Sequence, residues 1–297
     1  MKKKIKIILI LLLTFPMTCF ANNALDYIDP EPYLSEYNNK SKTLKSANFM
    51  VVTANDIATK IGYDILEKGG TVADAAVSIQ LALGLVEPQS SGIGGGSFLT
   101  YFDKKSKTIW SYEGREKAPK DLPEDIFLKN GSPVNFFSAA IGGKAVGVPS
   151  TLKVIHEFHK DYGIFKWNDL VNIVKELSER GFKPPNRLKG ALKKEKHLFD
   201  IEPKSLFNQI KNSPEKNFIN HKYTKTLEKI QNDISEFYSG KIASDIVSKV
   251  KKSTNKGFLS LEDLKKVEIN KNKALCKKTQ NEYYICGPNL PSSGTIC

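Results

Sequence analysis

The stretch of sequence that decides the fold is residues 69–96, GGTVADAAVSIQLALGLVEPQSSGIGGG. From Val72 to about Val86 the sequence is apolar almost all round, and a helix of that kind is buried. Glu87-Pro88 ends this helix, because the residue before a proline is disfavoured in helical conformation. The loop that follows has four glycines among residues 92–96. This pattern predicts a tight structural crossing between a buried helix and the next element.

Glycine loops also bind anions through converging backbone N–H groups, so phosphate-binding patterns are the first alternative. A dinucleotide fingerprint requires strand, G-x-G-x-x-G and helix, whereas Ser97 occupies the third glycine position here and the loop leads from a helix into a strand. The P-loop pattern fails at Gly143-Lys144, because Ala145 stands where Ser or Thr is required. The sequence therefore matches neither phosphate-binding pattern.

The surrounding pattern predicts an α/β layered domain whose sheet is completed by another segment. Apolar stripes at helical spacing indicate helices, and short runs rich in β-branched residues indicate strands. The predicted elements are a buried strand at 49–53, a helix from Asn55-Asp56 to Gly69-Gly70, the buried helix, a hairpin of strands at 98–102 and 108–112, a helical region from about 149 to 264, and strands within 275–286.

The N-terminal residues resemble a targeting signal. Four lysines precede an unbroken apolar run at residues 7–13, and the segment ends in small residues at Ala21. Thr14 and Pro16 interrupt the apolar run, which is too short for the roughly 20 residues of a membrane span, so no stable membrane anchor is expected. We expect a periplasmic or secreted protein with three parts: a signal peptide at 1–21, a mature N-terminal arm at 22–46, and a domain at 47–297.

Composition and charge indicate whether a nucleic acid is an expected partner. The chain is 40% hydrophobic and 26% charged, as globular proteins are, and its net charge of +13 falls to +9 when residues 1–21, with four lysines and no acidic residue, are removed. The lysines are scattered along polar helical faces and do not cluster with aromatic residues. We therefore expect no nucleic-acid partner.

The cysteines and histidines give no metal-ligand spacing, and no metal or cofactor is expected. Cys276 and Cys286 are equidistant from Asn281, so a hairpin turning there places them opposite each other, either bridged or as two free strand thiols. The histidines stand in lysine-rich helical patterns and are predicted to be surface or cap residues: His156, His159, His197 and His221.

Several strings, in order, resemble the successive signatures of the γ-glutamyltranspeptidase family. The first four are FMVVT (49–53), GGTVADAA (69–76), EPQSSGIGGG (87–96) and GREKAP (114–119). The match continues with GGKAVGVP (142–149), FYSG (237–240), EDL (262–264) and PSSG (291–294). One such string is weak evidence, whereas the ordered set covers nearly the whole mature chain.

The resemblance implies an N-terminal-nucleophile hydrolase of αββα architecture, present here as an incomplete, large-subunit part. It implies an enzyme that transfers a γ-glutamyl group from glutathione, or another γ-glutamyl compound, to water or an amino acid. Arg115 corresponds to the family arginine that binds the α-carboxylate of the glutamyl donor. A guanidinium suits that role, because its planar fork matches a carboxylate with two parallel hydrogen bonds.

The resemblance also implies that catalysis depends on a threonine whose own α-amine acts as its base. That threonine opens a segment with a Thr-Thr-His signature, and this sequence contains no Thr-His dipeptide. We therefore assign no catalytic residue within these 297 residues and expect the chain alone to be inactive. The nucleophile is expected on polypeptide outside them, either in the rest of a truncated chain or on a separate small-subunit chain. The alternative is a non-catalytic remnant or binding protein of the envelope.

Overall fold

The computed structural model describes residues 43–195 and 197–295. The predicted signal peptide and all but the last four residues of the predicted arm lie outside these ranges. Within them, no helix combines the length and the apolar character needed to cross a bilayer. From Leu44 onward the described residues belong to one compact unit.

Helices dominate the described part of the chain, and short strands flank the helical region. The helices are α1 (Asp56–Glu67), α2 (Val72–Val86), α3 (Phe136–Ala140), α4 (Thr151–Tyr162), α5 (Trp167–Arg180), α6 (Asn186–Lys194), α7 (His197–Ile201), α8 (Asn208–Asn212), α9 (His221–Asn232), α10 (Ser235–Tyr238), α11 (Lys241–Lys252) and α12 (Leu261–Lys265). The strands are β1 (Ser97–Asp103), β2 (Thr108–Gly114), β3 (Leu128–Lys129), β4 (Ser132–Pro133), β5 (Asn270–Lys273), β6 (Leu275–Lys278) and β7 (Tyr284–Gly287).

The first two helices begin and end where their capping residues predict. The Asn55 side chain accepts a hydrogen bond from the Ile57 backbone N–H at 3.0 Å, which satisfies one of the free donors at the start of α1. Gly69, with φ of +88°, follows the end of α1 in the left-handed conformation that glycine adopts without strain. Thr71 and Asp74 then form a reciprocal capping box at the start of α2. The predicted bounds of both helices are confirmed.

The predicted strand at 49–53 is wrong. Residues 49–53 form no strand and pair with no strand of the described chain. Met50 is 50% exposed and Val52 is 80% exposed, so the β-branched pattern does not mark a buried segment. A strand requires a partner for its backbone groups as well as a suitable composition, and composition alone misled the prediction.

The main core lies between helices. It joins buried side chains of α1, α2, α4, α5 and α9, and α2 lies in the middle of it with Val77, Leu81 and Leu85 almost fully buried. The hydroxyl of Ser78 donates to the carbonyl of Leu170 in α5 at 2.9 Å, so this buried polar group is satisfied. The near-continuous apolar surface of α2 is explained by neighbours on several sides.

The sheet has the order β1-β2-β5, and both strand pairs are antiparallel. One face packs on α2 and α4, where Tyr112 is fully buried beside Val154 and Phe158. The sequence predicted the β1–β2 hairpin, and its register from Ser97–Gly114 to Asp103–Thr108 confirms it.

Strand β5 was not predicted, because its sequence, Asn-Lys-Asn-Lys, has no strand-like composition. Side-chain contacts hold it in place. The Lys271 ammonium lies 2.8 Å from an Asp161 carboxylate oxygen and 4.9 Å from the centre of the Trp110 ring. Burial favours a raised pKa for Asp161, but hydrogen bonds from Lys271 and Tyr112 outweigh it and lower the pKa. Tertiary contacts therefore override the low strand propensity of β5.

Strands β6 and β7 form a hairpin in which Cys276 and Cys286 are directly opposite and joined by a disulfide. Of the two alternatives that the sequence left open, the structure has the bridged one. The bond closes a sequence separation of 10 residues. Several apolar side chains of this hairpin are exposed: Leu275, Tyr283, Tyr284 and Ile285.

Candidate substrate-binding site

The glycine loop at 92–96 connects α2 to β1 and is held against the start of α4. The carbonyl of Gly95 accepts hydrogen bonds from the backbone N–H groups of Ser150 at 2.9 Å and Thr151 at 3.0 Å. At Gly96 a side chain would collide with its surroundings, since an added Cβ would lie 2.6 Å from the carbonyl oxygen of Gly114. The loop is thus a close crossing of backbones, as the sequence predicted.

A buried carboxylate anchors the start of this loop. Glu87 is 1% exposed and accepts hydrogen bonds from Asn55 Nδ2 at 3.0 Å, Arg187 Nη1 at 3.1 Å and the side-chain amide of Gln89. These donors come from the N-cap of α1, from α6 and from the loop itself. A buried charge is tolerated when it is paired and hydrogen-bonded, and here the same contacts tie three segments together.

A second buried carboxylate, Asp74, connects α2 to the loop after α4. It accepts hydrogen bonds from the backbone N–H of Thr71 at 2.7 Å, Ile164 at 3.1 Å and Phe165 at 3.2 Å, and His159 Nε2 lies 3.4 Å away. Three of these partners are backbone groups of chain connections. We therefore read Asp74 as a structural residue.

Arg115 directly follows β2 and lies beside the glycine loop. The register that pairs Ser97 with Gly114 brings the two segments to the same end of the hairpin. The Arg115 side chain is 66% exposed, and its Nε lies 3.5 Å from a carboxylate oxygen of Glu116. Arg115 and Gly94 both line a cleft of about 500 Å³, so the one predicted site residue is next to the predicted loop.

The cleft is formed where the chain after β2 meets the chain before α4. Lys117 and Val148 form an antiparallel bridge, with the Val148 N–H donating to the Lys117 carbonyl at 2.9 Å. The cleft is lined by Gly94, Arg115, Glu116, Lys117, Ala118, Pro119, Leu122, Phe127, Lys144, Ala145, Val146 and Gly147. Its charged lining comprises three cations and one carboxylate.

A smaller cavity of about 160 Å³ shares Arg115 and Lys117 with the cleft and contains acidic groups from the α12 region. One of these, Asp263, accepts a hydrogen bond from the Lys120 backbone N–H at 3.0 Å. Burial favours a raised pKa for Asp263, but the hydrogen bonds from Lys120 and from Ser260 lower it overall. Asp263 therefore fastens the segment that carries Arg115 to α12.

Sequence reasoning identified Arg115 but missed Lys144 and Asp263 as neighbours of this site. Both lie in strings that resemble the family, at 142–149 and 262–264, and that was the only signal available. Their sequence positions are remote from Arg115, and only the folded chain brings them to the same region.

The histidines play no part in this cleft. His156 is partly buried and packs against the Trp167 ring. His159 lies in the last turn of α4, with its Nε2 2.9 Å from the Phe165 carbonyl oxygen just beyond the helix end, and His197 and His221 are exposed. The prediction of surface or cap residues is therefore wrong for His156 and holds for the other three. Among the residues that the structure describes, no three His, Cys, Asp or Glu side chains are placed to hold a metal ion.

Superposition on solved structures identifies the fold class of this chain. The gamma-glutamyltranspeptidase from Helicobacter pylori superposes with a TM-score of 0.76 at 27% identity, over 85% of this chain and 73% of that chain. The gamma-glutamyltranspeptidase from Pseudomonas nitroreducens, complexed with L-DON, superposes with a TM-score of 0.76 at 26% identity, over 86% of this chain and 74% of that chain. The predicted α/β fold of the N-terminal-nucleophile hydrolase type is confirmed.

Sequence comparison identifies the family. The gamma-glutamyltranspeptidase family model matches residues 58–297. The glutathione hydrolase proenzyme of Bacillus subtilis subsp. natto is 34% identical over 252 residues, which are 83% of this chain and 42% of that protein. The chain belongs to the gamma-glutamyltranspeptidase family, and it spans less than half the length of such curated relatives.

Proposed function

We propose that this chain is the large-subunit part of a γ-glutamyltransferase or glutathione hydrolase. The complete protein would cleave the γ-glutamyl bond of glutathione and transfer the γ-glutamyl group to water or an amino acid. The observation that carries the proposal is the position of Arg115, at a cleft beside the glycine loop, in a chain of this family.

Arg115 is proposed to bind the α-carboxylate of the γ-glutamyl donor. Its contact with Glu116 uses Nε, which leaves the two terminal guanidinium nitrogens for two parallel hydrogen bonds to a ligand carboxylate. The exposure of the side chain gives a ligand access from solvent. Glu116 orients the guanidinium from one side and is itself near Gly96, so the loop, Glu116 and Arg115 form a connected unit.

The nucleophile is proposed to be a threonine outside these 297 residues, either further along a longer chain or on a separate small-subunit chain. Without that threonine and the donors that stabilise the oxyanion, this chain by itself should be inactive. Removal of a complete nucleophile unit typically lowers turnover on the order of a million-fold. Given the N-terminal segment, we place the protein in the periplasm or outside the cell.

Inactivity can be tested by incubating the purified chain with a chromogenic γ-glutamyl anilide. We expect no release of the anilide above the uncatalysed rate. Turnover by this polypeptide without an added subunit would show that the nucleophile lies within it.

The role of Arg115 can be tested by calorimetric binding of S-methylglutathione, which cannot reduce the disulfide. The Arg115→Gln variant should bind at least about tenfold more weakly, because a charged hydrogen-bond pair is lost. The matched control is Lys104→Gln, an exposed cation in the turn at the other end of the β1–β2 hairpin. Equal affinity of wild type and Arg115→Gln would contradict the assignment.

The alternative is a non-catalytic envelope remnant or binding protein. In that case the hydrophobic core would lack part of its packing partners, and the chain would fold poorly. Exposed apolar side chains on the β6–β7 hairpin are compatible with either a missing subunit or such a remnant. A cooperative melt of a monomer, measured by circular dichroism and size exclusion, would argue against the remnant.

A further inference from the structure

Among the described residues, two of the three cations that line the cleft have no acidic partner. Arg115 is paired with Glu116, whereas no salt bridge within residues 43–195 and 197–295 involves Lys117 or Lys144. The lining therefore carries a net positive charge of two after the single carboxylate is counted. An excess of cations at the wall of a concave site attracts and retains an anion.

Hydrogen bonds of a backbone turn fix the position of Lys144. It lies in a short 3-10 helix, Gly143–Ala145, which follows Gly142 with φ of +98°. The Lys144 backbone N–H donates to the Asn255 carbonyl at 3.0 Å, and the Gly143 N–H donates to the Ser253 hydroxyl at 2.7 Å. The side chain is half-buried, in contrast to the exposed lysines of the helical surfaces.

The dimensions of the cleft suit a ligand with two separated carboxylates. A volume of about 500 Å³ lies within the usual range of ligand sites and equals a sphere roughly 10 Å across. In an extended γ-glutamyl dipeptide, seven bonds separate the α-carboxylate from the C-terminal carboxylate, which is roughly 9 Å from standard bond lengths. Such a ligand is short enough to lie within the cleft, whose lining supplies Arg115 and two further cations.

We propose that Lys144, assisted by Lys117, binds a second carboxylate, on the group that leaves from the γ-glutamyl donor. The preferred donors are then γ-glutamyl amino acids or peptides with a free C-terminal carboxylate. This inference rests on the proposed function, since it assumes that Arg115 binds the α-carboxylate.

The test compares γ-glutamylglycine with γ-glutamylglycinamide, which differ only in the second carboxylate. Calorimetric titration of the full chain at low ionic strength should give a Kd for γ-glutamylglycine about five- to tenfold lower. In Lys144→Gln the ratio of the two Kd values should fall to about one, with the Kd of the amide unchanged. Lys104→Gln serves as the matched control and should keep the wild-type ratio, and circular dichroism should show that each variant is folded.

The outcomes separate this inference from the proposed function. Arg115→Gln should weaken both ligands alike and keep their ratio, and if it weakens neither, the proposed function fails at its α-carboxylate site. Equal Kd values for the two ligands in the wild type, or an unchanged ratio in Lys144→Gln, would overturn the role of Lys144. Failure of the wild-type chain to bind either dipeptide would overturn both proposals.

Discussion

Replacing Gly96 with alanine should destabilise the glycine loop and disturb Arg115, because the new methyl group has no room. An added Cβ would lie 2.4 Å from a carboxylate oxygen of Glu116 and 2.6 Å from the Gly114 carbonyl oxygen. The Glu116 carboxylate can swing away. The Gly114 carbonyl cannot do so easily, because it accepts a hydrogen bond from the Ser150 hydroxyl and lies in the paired end of β2.

The expected size of the effect follows from these two contacts. Forcing a methylene-sized group into a packed site typically costs about 1–3 kcal/mol. At about 2–4 °C per kcal/mol for a domain of this size, the melting temperature should fall by about 2–12 °C. A Glu116 side chain that swings away also loses its 3.5 Å contact with Arg115, so binding of S-methylglutathione should weaken in the same variant.

The matched control is Gly94→Ala in the same loop. No heavy atom lies within 4 Å of a Cβ at Gly94, and Gly94 does not have a positive φ, so its melting temperature should stay near that of the wild type. Both variants are compared by differential scanning calorimetry. If Gly96→Ala and Gly94→Ala melt within about one degree of each other, the steric account of this loop is refuted.

Three further predictions concern a buried ion pair, the disulfide, and the dependence of stability on pH. Arg187→Met leaves the buried Glu87 carboxylate with amide donors only. The free energy of unfolding, measured in urea, should fall by about 3 kcal/mol, and a fall of less than about 1 kcal/mol would contradict a buried ion pair. Without reductant, Cys276 and Cys286 should resist alkylation in a peptide mass map, and alkylation of both would show that the bond is absent. The lowered pKa of Asp161 gives stability that is present above its ordinary value of 3.8 and is lost as the pH falls through the folded-state pKa. Asp161→Asn should therefore show a shallower acid-induced loss of stability below about pH 4, and superimposable acid-unfolding curves of wild type and variant would count against it.

Local signals in the sequence were sufficient for the elements around the glycine loop. Asn55, Thr71 and Gly69 mark helix ends through their own side-chain or backbone chemistry, so their prediction needed no knowledge of distant residues. The β1–β2 hairpin was predictable for the same reason. The failures at 49–53 and at β5 have the opposite cause, since strand formation depends on a partner that is remote in sequence.

The candidate site was only partly predictable. Arg115 was identified from a short string that resembles a family signature, and the structure places it beside the loop of a second string. Lys144 lies in a string that resembles the family, but nothing in that string marks it as a site residue. Its place in the cleft depends on backbone contacts of residues 143 and 144 with Ser253 and Asn255, more than 100 residues later. Residues of this kind are found only when the chain is folded.

The sequence by itself determined the family, the class of fold, the ends of the first helices and the identity of one proposed ligand-binding arginine. Each of these depends on motifs or capping residues that lie within short, continuous stretches of the chain. The tertiary structure decided which strands pair, that Cys276 and Cys286 are bridged, and which cations share the cleft with Arg115. The physical reason is that capping and turn chemistry act over a few residues, whereas strand pairing, disulfide geometry and charge clustering depend on distances between segments far apart in the chain.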